Sequence, residues 1–217
     1  PICVGLGDVN SLGLENEEIA GVYDAVNTIS ELRQSGNLAE LSVGRRVIVI
    51  GGGSTAIDIA VQSKKLGAED VTLAYRRGPE QMSATWKEQE FAQTNGVRVK
   101  NWLAPKSLQS ENGHVSGIEF ECTSLNPQGK LSATGELRNM EADVVFKAIG
   151  QKLVNSLDSA SEMPETEGGK IAVNAEYETS LAGVWAGGDC IRSGDDLTVQ
   201  AVEDGKQAAI AIHGKLT

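Results

Sequence analysis

A short run of β-branched residues that ends in three glycines constrains this chain more than any other feature. The run Arg46–Ile50 leads directly into Gly51-Gly52-Gly53. It is too short for a buried helix and is typical of a parallel strand covered on both faces. Residues 54–66 then show the three- and four-residue spacing of a helix that ends at Gly67, and residues 71–75 form the next apolar run. Strand, glycine turn, helix and strand within about thirty residues predict a βαβ unit.

The glycines of this unit fit the spacing of a dinucleotide-binding turn. Gly51, Gly53 and Ala56 occupy the three small-residue positions of G-x-G-x-x-G/A. The first glycine permits the tight turn, the second lets a diphosphate approach the backbone, and free N–H groups at the helix start face that diphosphate. A glycine-rich structural turn without a ligand is the alternative interpretation. The residues predicted to contact the diphosphate are Gly51, Gly52, Gly53, Ser54 and Thr55.

Two arginines follow the second strand of the unit. A turn that selects NAD usually has an acidic residue about 20 positions after the glycines, whereas an arginine there accommodates the 2′-phosphate of NADP. Here Arg76 and Arg77 follow the strand, with no Asp or Glu between Thr72 and Gly78. Because guanidinium groups bind phosphate oxygens in pairs, this predicts NADP(H) rather than NAD(H). The alternative is a solvated strand end.

The rest of the chain continues an α/β pattern with an antiparallel insertion. Asn112-Gly113 is typical of a tight hairpin turn, and the alternation in residues 117–123 suggests one buried face. The predicted elements are helices over 19–33, 84–93 and 199–216, strands over 97–100, 142–150, 171–173 and 183–189, a meander over 103–142 and a loop over 155–169.

Composition excludes several classes of partner and site. Thirty Asp and Glu against 19 Lys and Arg give a net charge of −11, which argues against nucleic acid and anionic membranes as partners. No apolar run approaches the roughly 18 residues that a membrane span needs. Cys3, Cys122 and Cys190 form no C-x-x-C pair, so the chain offers no disulfide framework or metal ligand set, and a cytoplasmic location is expected.

Other residue types offer little catalytic chemistry of their own. His114 and His213 are the only histidines and are interpreted as surface residues, so neither a Ser-His-Asp triad nor a metal cluster is predicted. Trp86, Trp102 and Trp185 are interpreted as packing residues. No catalytic acid, base or nucleophile is therefore predicted.

Several segments together resemble the small-subunit family of glutamate synthase, whose module also occurs in dihydropyrimidine dehydrogenase. They are VIVIGGGSTAIDIA at 47–60, AYRRGPEQM at 74–82, AIGQ at 148–151, GVWAGGDC at 183–190 and TVQAVEDGKQAAIAI at 198–212. The resemblance implies a two-dinucleotide-domain flavoprotein, with a Rossmann-like NAD(P)H-binding domain inserted into an FAD domain. It implies an FAD-domain remnant at 1–14, an NAD(P)H domain at 15–152 and the C-terminal FAD segment at 153–217.

The resemblance also assigns residues to the two cofactors. Ala148, Ile149 and Gly150 would line the seam between the domains. Gly188 and Asp189 would meet the ribityl and phosphate region of FAD, and Val199 and Gln200 would place helix amides near the flavin pyrimidine ring. The diphosphate of NADP(H) would lie on the glycine turn, as the spacing itself predicts.

The resemblance implies an NADPH-dependent oxidoreductase that passes hydride to FAD and electrons onward to a partner subunit or iron–sulfur domain. The cofactors then supply the chemistry, which agrees with the lack of catalytic side chains. The first glycine fingerprint of such proteins is not in this sequence, so a fragment that lacks the N-terminal FAD half is expected, with possible self-association. The alternatives are an isolated module that binds NADP(H) without turnover and an NADH-dependent subunit like that of dihydropyrimidine dehydrogenase. Thioredoxin reductase shares the layout but carries a redox C-x-x-C.

Overall fold

The computed structural model describes residues 1–38, 43–154, 162–194 and 197–217. These residues form two compact units. One consists of Pro1–Val9 with Gln151–Thr217, and the other is the continuous segment Asn10–Gly150. The domain limits given above at 14/15 and 152/153 stay predictions.

The continuous unit is built on a five-stranded parallel sheet. Its strands in spatial order are β2 (Val22–Asp24), β9 (Val144–Lys147), β3 (Arg46–Ile50), β4 (Asp70–Tyr75) and β5 (Arg98–Asn101). All four neighbouring pairs are parallel. The carboxyl ends of the strands therefore meet at one edge of the sheet, where ligands bind in open α/β folds.

Three helices cover one face of this sheet: α1 (Ala25–Gln34), α2 (Ser54–Lys65) and α3 (Trp86–Thr94). The alternation of β3 divides its side chains between two cores. Val47 and Val49 lie in the core on the helix side, whereas Ile48 and Ile50 lie in the core on the opposite face. Burial on both faces explains why this strand reads as an uninterrupted apolar run.

The opposite face is covered by an antiparallel meander of β6 (Leu103–Glu111), β7 (His114–Leu125) and β8 (Leu131–Glu141). Asn112 and Gly113 join the first two strands with φ of 52° and 78°, as a type I′ turn requires. Ile118 and Phe120 on β7 are fully buried in the core of this face. The predicted meander over 103–142 is therefore confirmed.

The second unit has little regular structure besides one long helix. β1 (Asp8–Val9) pairs with β10 (Gln151–Lys152), β11 (Thr166–Glu167) pairs with β12 (Lys170–Ile171), and α4 spans Thr198–Leu216. A small core contains Ile171, Ala186, Cys190 and Ile191. Within the described ranges no helix is long and apolar enough to cross a bilayer. The outer face of α4 carries exposed apolar side chains, and the self-association expected above stays a prediction.

Two of the predicted elements differ from the structure, one in its start and one in its type. The helix expected over 19–33 begins only at Ala25, because Val22 pairs with Val145 on β9 and Gly21 has φ of 91°, which a helix does not allow. The strand expected over 183–189 is a loop with isolated bridges, since positive φ at glycines 183 and 188 interrupts extended backbone. Of the predicted loop over 155–169, residues 155–161 lie outside the described residues.

An ion pair closes the amino edge of the parallel sheet. The carboxylate of Asp143 accepts hydrogen bonds from the Arg46 guanidinium at 2.6 Å and from the Arg46 backbone N–H at 2.9 Å. The Arg46 side chain is the main cause that lowers the pKa of Asp143 below its ordinary value. A carboxyl group with a lowered pKa in the folded state stabilises the fold above its unfolded pKa, and this stabilisation is lost as the pH falls through the folded pKa.

We predict that Asp143→Asn lowers the free energy of unfolding by about 1 kcal/mol at neutral pH, because the Arg46 pair is lost. The difference from the wild type should shrink as the pH falls below about 4, the ordinary pKa of an Asp carboxyl, and should vanish below the lowered pKa of the folded state, where the wild-type carboxyl is protonated too. Urea unfolding at several pH values measures both effects. The control Glu69→Gln removes the exposed pair with Arg45 and should have a smaller effect. A pH-independent loss in Asp143→Asn would contradict the prediction.

Candidate dinucleotide-binding site

The first glycine of the turn is required by a close approach of backbone. Gly51 follows β3, and its N–H donates to the Ala74 carbonyl at 3.1 Å. The Ala148 N–H, at the exit of β9, donates to the Ile50 carbonyl at 2.8 Å. A Cβ atom on Gly51 would lie 2.2 Å from the Ala148 carbonyl oxygen. Only glycine fits, and the structure brings the predicted residues Gly51 and Ala148 into direct contact.

The other two glycines shape the start of α2. A Cβ atom on Gly52 would lie 2.5 Å from the ring of Tyr75, so the ring covers the backbone there. Gly53 is the N-cap of α2 and provides no side-chain cap. Its own carbonyl accepts from the Ala56 N–H at 3.0 Å, which begins the helix. The first amide groups of α2, including those of Ser54 and Thr55, are thus left without a side-chain cap, as an anion site needs.

The carboxylate of Glu88 interacts with residues at the starts of two helices, α2 and α3. It accepts from the Thr85 N–H at 2.7 Å and from the Thr85 hydroxyl at 2.8 Å. Interaction with the Ser54 side chain is the largest cause that lowers the pKa of Glu88. The Thr85-x-x-Glu88 spacing is that of a capping box at the start of α3, a signal that the sequence analysis did not use.

The two arginines combine a fixed backbone with exposed side chains. The Arg76 carbonyl accepts from the Thr123 hydroxyl at 2.7 Å, and the Arg77 carbonyl accepts from the Trp102 N–H and the Asn101 amide, each at 3.2 Å. Both side chains are exposed. Within the part of the chain that the structure describes, neither guanidinium forms a hydrogen bond or an ion pair. Two unpaired cations therefore stand at the carboxyl edge beside the glycine turn.

The segment after β9 crosses the carboxyl edge of the sheet. Ala148 is buried against Gly51, and Ile149 packs on the meander-side core. The Ile149 carbonyl accepts from the Asn10 amide at 3.3 Å, and the Gly150 carbonyl accepts from the Asn10 N–H at 3.1 Å. The predicted residues Ala148, Ile149 and Gly150 thus lie in the same unit as the glycine turn, with Ala148 in contact with it.

The four residues predicted to meet FAD lie in the other unit. A fully buried carboxylate, Asp204, accepts from the Gly188 N–H at 2.9 Å and from the Gln200 amide at 2.6 Å. The Tyr177 hydroxyl donates to it at 3.2 Å, and burial raises the pKa of Tyr177. Val199 is 75% exposed and Asp189 is half-buried. Asp204 organises this site, and sequence reasoning missed it, although its position four residues after Gln200 was a usable signal.

A second buried charge cluster lies at the carboxyl edge of the sheet. The Lys147 ammonium group lies 3.2 Å from Asp24 and 3.7 Å from Glu17. Burial raises the pKa of Glu17, but hydrogen bonds from the Leu14 and Leu12 N–H groups outweigh burial, so that this pKa is lowered overall. The cluster fixes the segment before β2 to the sheet, and the sequence analysis did not identify it.

One of the three tryptophans differs from its interpretation as a packing residue. Trp185 is 7% exposed, but Trp86 is 68% exposed, so the interpretation is wrong for Trp86. Trp102 is half-buried beside the arginines. His114 and His213 are both exposed, as expected. Over residues 1–38, 43–154, 162–194 and 197–217, no three His, Cys, Asp or Glu side chains form a group that could hold a metal ion.

This arrangement agrees with a comparison to protein families. A model of the family described as pyridine nucleotide-disulphide oxidoreductase matches residues 4–205. The chain belongs to this family. It is 33% identical to the small chain of NADPH glutamate synthase from Escherichia coli (strain K12), over 97% of this chain and 49% of that protein. It is 30% identical to the beta subunit of an NADP(+)-dependent formate dehydrogenase from Moorella thermoacetica, over 97% of this chain and 31% of that protein. The chain thus spans half or less of the length of these relatives.

A solved structure of the same fold confirms the predicted fold class. FprA from Mycobacterium tuberculosis in complex with NADPH is 18% identical, with a TM-score of 0.76, over 99% of this chain and 63% of that chain. The parallel sheet, the antiparallel meander and the separate second unit of this oxidoreductase-family chain agree with a two-dinucleotide-domain flavoprotein architecture.

We predict that Gly51→Ala lowers the free energy of unfolding by about 2–3 kcal/mol, because its Cβ would overlap a backbone carbonyl that cannot move away without displacing β9. The matched control is Gly53→Ala, whose Cβ would lie 3.1 Å from the flexible Ser83 hydroxyl. It should change stability by no more than about 0.5 kcal/mol. Thermal unfolding of the two variants measures the difference. Equal losses would show that the Ala148 contact is not the constraint at this turn.

Proposed function

We propose that this chain is the NADPH-binding module of a flavoprotein oxidoreductase, which passes hydride from NADPH to FAD and electrons onward. The observation that carries the proposal is a pair of arginines, Arg76 and Arg77, that have no partner among the described residues and lie at the sheet edge where the glycine turn begins α2. An uncapped helix N-terminus attracts a diphosphate, and two free guanidiniums attract a further phosphate. NADPH carries both groups.

The residues proposed to hold NADPH are those of the turn and the strand that follows it. Gly51 and Gly52 allow the tight turn against Ala148 and Tyr75, and Gly53 lets the diphosphate approach the backbone, with the amide groups of Ser54 and Thr55 as donors. Arg76 and Arg77 bind the 2′-phosphate. The backbone carbonyls of both arginines are already hydrogen-bonded, so only side-chain freedom is lost when the phosphate binds. The seam residues Ala148, Ile149 and Gly150 lie where the nicotinamide half of the coenzyme would extend.

FAD is the second cofactor of the proposal, and this chain supplies part of its site. Within the described residues the Asp189 carboxylate has no hydrogen-bonding partner, so it is available to a ribityl hydroxyl. The first turn of α4, with Val199 and Gln200, has no side-chain cap. Gly188 contributes through its conformation, with φ of 84°, because its N–H already donates to Asp204. FAD, when bound, accepts the hydride, and these protein groups bind and orient it.

The names of the relatives support the choice of coenzyme and of partner. Both relatives described above carry NADPH or NADP(+) in their names, and both are named as a chain or a subunit. We therefore propose that electrons leave this module for a partner subunit or an iron–sulfur domain. The cytoplasmic location stays a prediction from cysteine usage.

One observation favours a second candidate, a module that binds NADP(H) without turnover. Asp204 already accepts from the Gly188 N–H and from the Gln200 side-chain amide, so the Gly188 N–H is not available to FAD. This candidate needs only the continuous unit Asn10–Gly150, which contains the whole proposed NADPH site. An NADH-dependent module is the third candidate, and the arginine variants below test it.

We predict that Arg76→Ala and Arg77→Ala each weaken NADPH binding roughly tenfold, while NADH binding changes little, because only NADPH has the 2′-phosphate. Calorimetric titration of the purified chain with both coenzymes measures the ratio of affinities. The control Arg98→Ala removes the same charge at the opposite edge of the sheet, where Arg98 pairs with Asp70. An NADPH-to-NADH ratio that stays at the wild-type value in both variants would refute the assignment of the arginines.

We predict that the chain incubated with FAD retains only a sub-stoichiometric amount of flavin through gel filtration, because it supplies part of the FAD site, and that this fraction reduces a dye with NADPH. Asp189→Ala should lower flavin retention, because the carboxylate is a proposed acceptor for a ribityl hydroxyl. Asp8→Ala, an exposed acidic residue on β1, is the matched control. A colourless chain that still binds NADPH would refute the FAD part of the proposal and support the module without turnover.

A further inference from the structure

Trp102 has a backbone conformation that a bulky residue rarely adopts. Its φ is 64°, in the left-handed region that favours glycine and asparagine. The conformation is fixed on both sides, because the Trp102 N–H donates to the Arg77 carbonyl at 3.2 Å and its carbonyl accepts from the Thr123 N–H at 3.0 Å. Such strain persists where the surrounding structure enforces it, and it concentrates at binding sites.

The Trp102 ring lies over Gly78, the residue that follows the two arginines. Trp102 directly follows β5, the neighbour of β4, so it stands at the same sheet edge as Arg76 and Arg77. The ring covers Gly78, where an added Cβ atom would lie 2.7 Å from the ring atom Cζ2. The side chain is half-buried, so part of the indole faces solvent. An aromatic surface is thereby held one residue from the arginines that are proposed to bind phosphate.

The chemistry of the coenzyme places a base next to this phosphate. In NADPH the 2′-phosphate and the adenine are attached to adjacent carbon atoms of one ribose. A phosphate bound by Arg76 and Arg77 therefore brings the adenine to within one sugar ring of the arginines. Bases stack on aromatic side chains, and this stacking adds to affinity.

We propose that Trp102 is the adenine platform of this site, with the indole positioned by its left-handed backbone to stack on the base. The inference rests on the proposed function, since it takes the 2′-phosphate to lie on Arg76 and Arg77. It assigns the two parts of adenosine 2′-phosphate to two neighbouring strand ends. The arginines after β4 select the phosphate, and Trp102 after β5 binds the base.

The other tryptophans are less suited to this role and serve as controls. Trp86, at the start of α3, is 68% exposed, and the Lys87 ammonium group lies 5.6 Å from its ring centre. No hydrogen bond joins its backbone to either arginine among the described residues. Trp185 lies in the other unit and is 7% exposed. Only Trp102 combines exposure with a direct bond to the arginine segment.

The experiment titrates the purified full chain with 2′,5′-ADP and with 5′-ADP, which lacks the 2′-phosphate. Trp102→Asn removes the ring and keeps a residue that tolerates a left-handed backbone. We expect it to weaken both ligands roughly tenfold and by the same factor, because both carry adenine, so that their ratio is unchanged. Trp102→Phe should restore most of the affinity. Arg76→Ala and Arg77→Ala should instead change the ratio.

Tryptophan fluorescence provides a second readout that does not depend on comparing affinities. Binding of 2′,5′-ADP should quench the fluorescence of the wild type, Trp86→Phe and Trp185→Phe, and this quenching should be lost in Trp102→Phe. If Trp102→Asn does not fold, the Trp102→Phe result still decides. Unchanged affinity in Trp102→Asn, or quenching that persists in Trp102→Phe, would overturn the platform. Arginine variants that leave the ratio unchanged would instead overturn the proposed NADPH selectivity, whatever Trp102 does.

Discussion

The contact between Gly51 and Ala148 is the constraint on which the rest of the site depends. The exit of β9 crosses the end of β3 so closely that the Ala148 carbonyl takes the space of a side chain at Gly51. This crossing brings three features of the carboxyl edge together: the glycine turn, the start of α2 and the segment that leads out of the sheet. A chain without glycine at this point would need to separate β3 from β9, and the uncapped helix terminus would no longer lie beside the exit of β4.

At this edge the backbone and the side chains of the two arginines have different roles. Backbone hydrogen bonds fix the path of the chain at Arg76 and Arg77, while the guanidinium groups stay without partners among the described residues. Cations that were already paired would have to break those pairs before they bound a phosphate. The net charge of −11 makes two unpaired arginines at one sheet edge more notable, because the remainder of the chain carries an excess of carboxylates.

Local patterns predicted most of the continuous unit, and long-range contacts explain what they missed. The β-branched run of β3, the helical spacing of α2 and the Asn112-Gly113 turn each act within a few residues, so sequence alone was sufficient. The segment before Ala25 has helical spacing too, but a pairing with β9, more than 120 positions away in the sequence, makes part of it a strand. Asp204 was missed because an acidic residue in a polar stretch usually indicates a solvated surface, and because Gly188 and Tyr177, two of its partners, lie outside α4. Glu88 was missed although its capping-box spacing from Thr85 is local.

The two ends of the continuous unit meet at Asn10 and Gly150, which are joined by a backbone hydrogen bond of 3.1 Å. When the two ends of an inserted unit lie next to each other, the host polypeptide has to bridge only a short distance, as it would with a tight loop. The continuous unit Asn10–Gly150 thus has the form of an insertion that a host chain can carry without a change in the fold of the host.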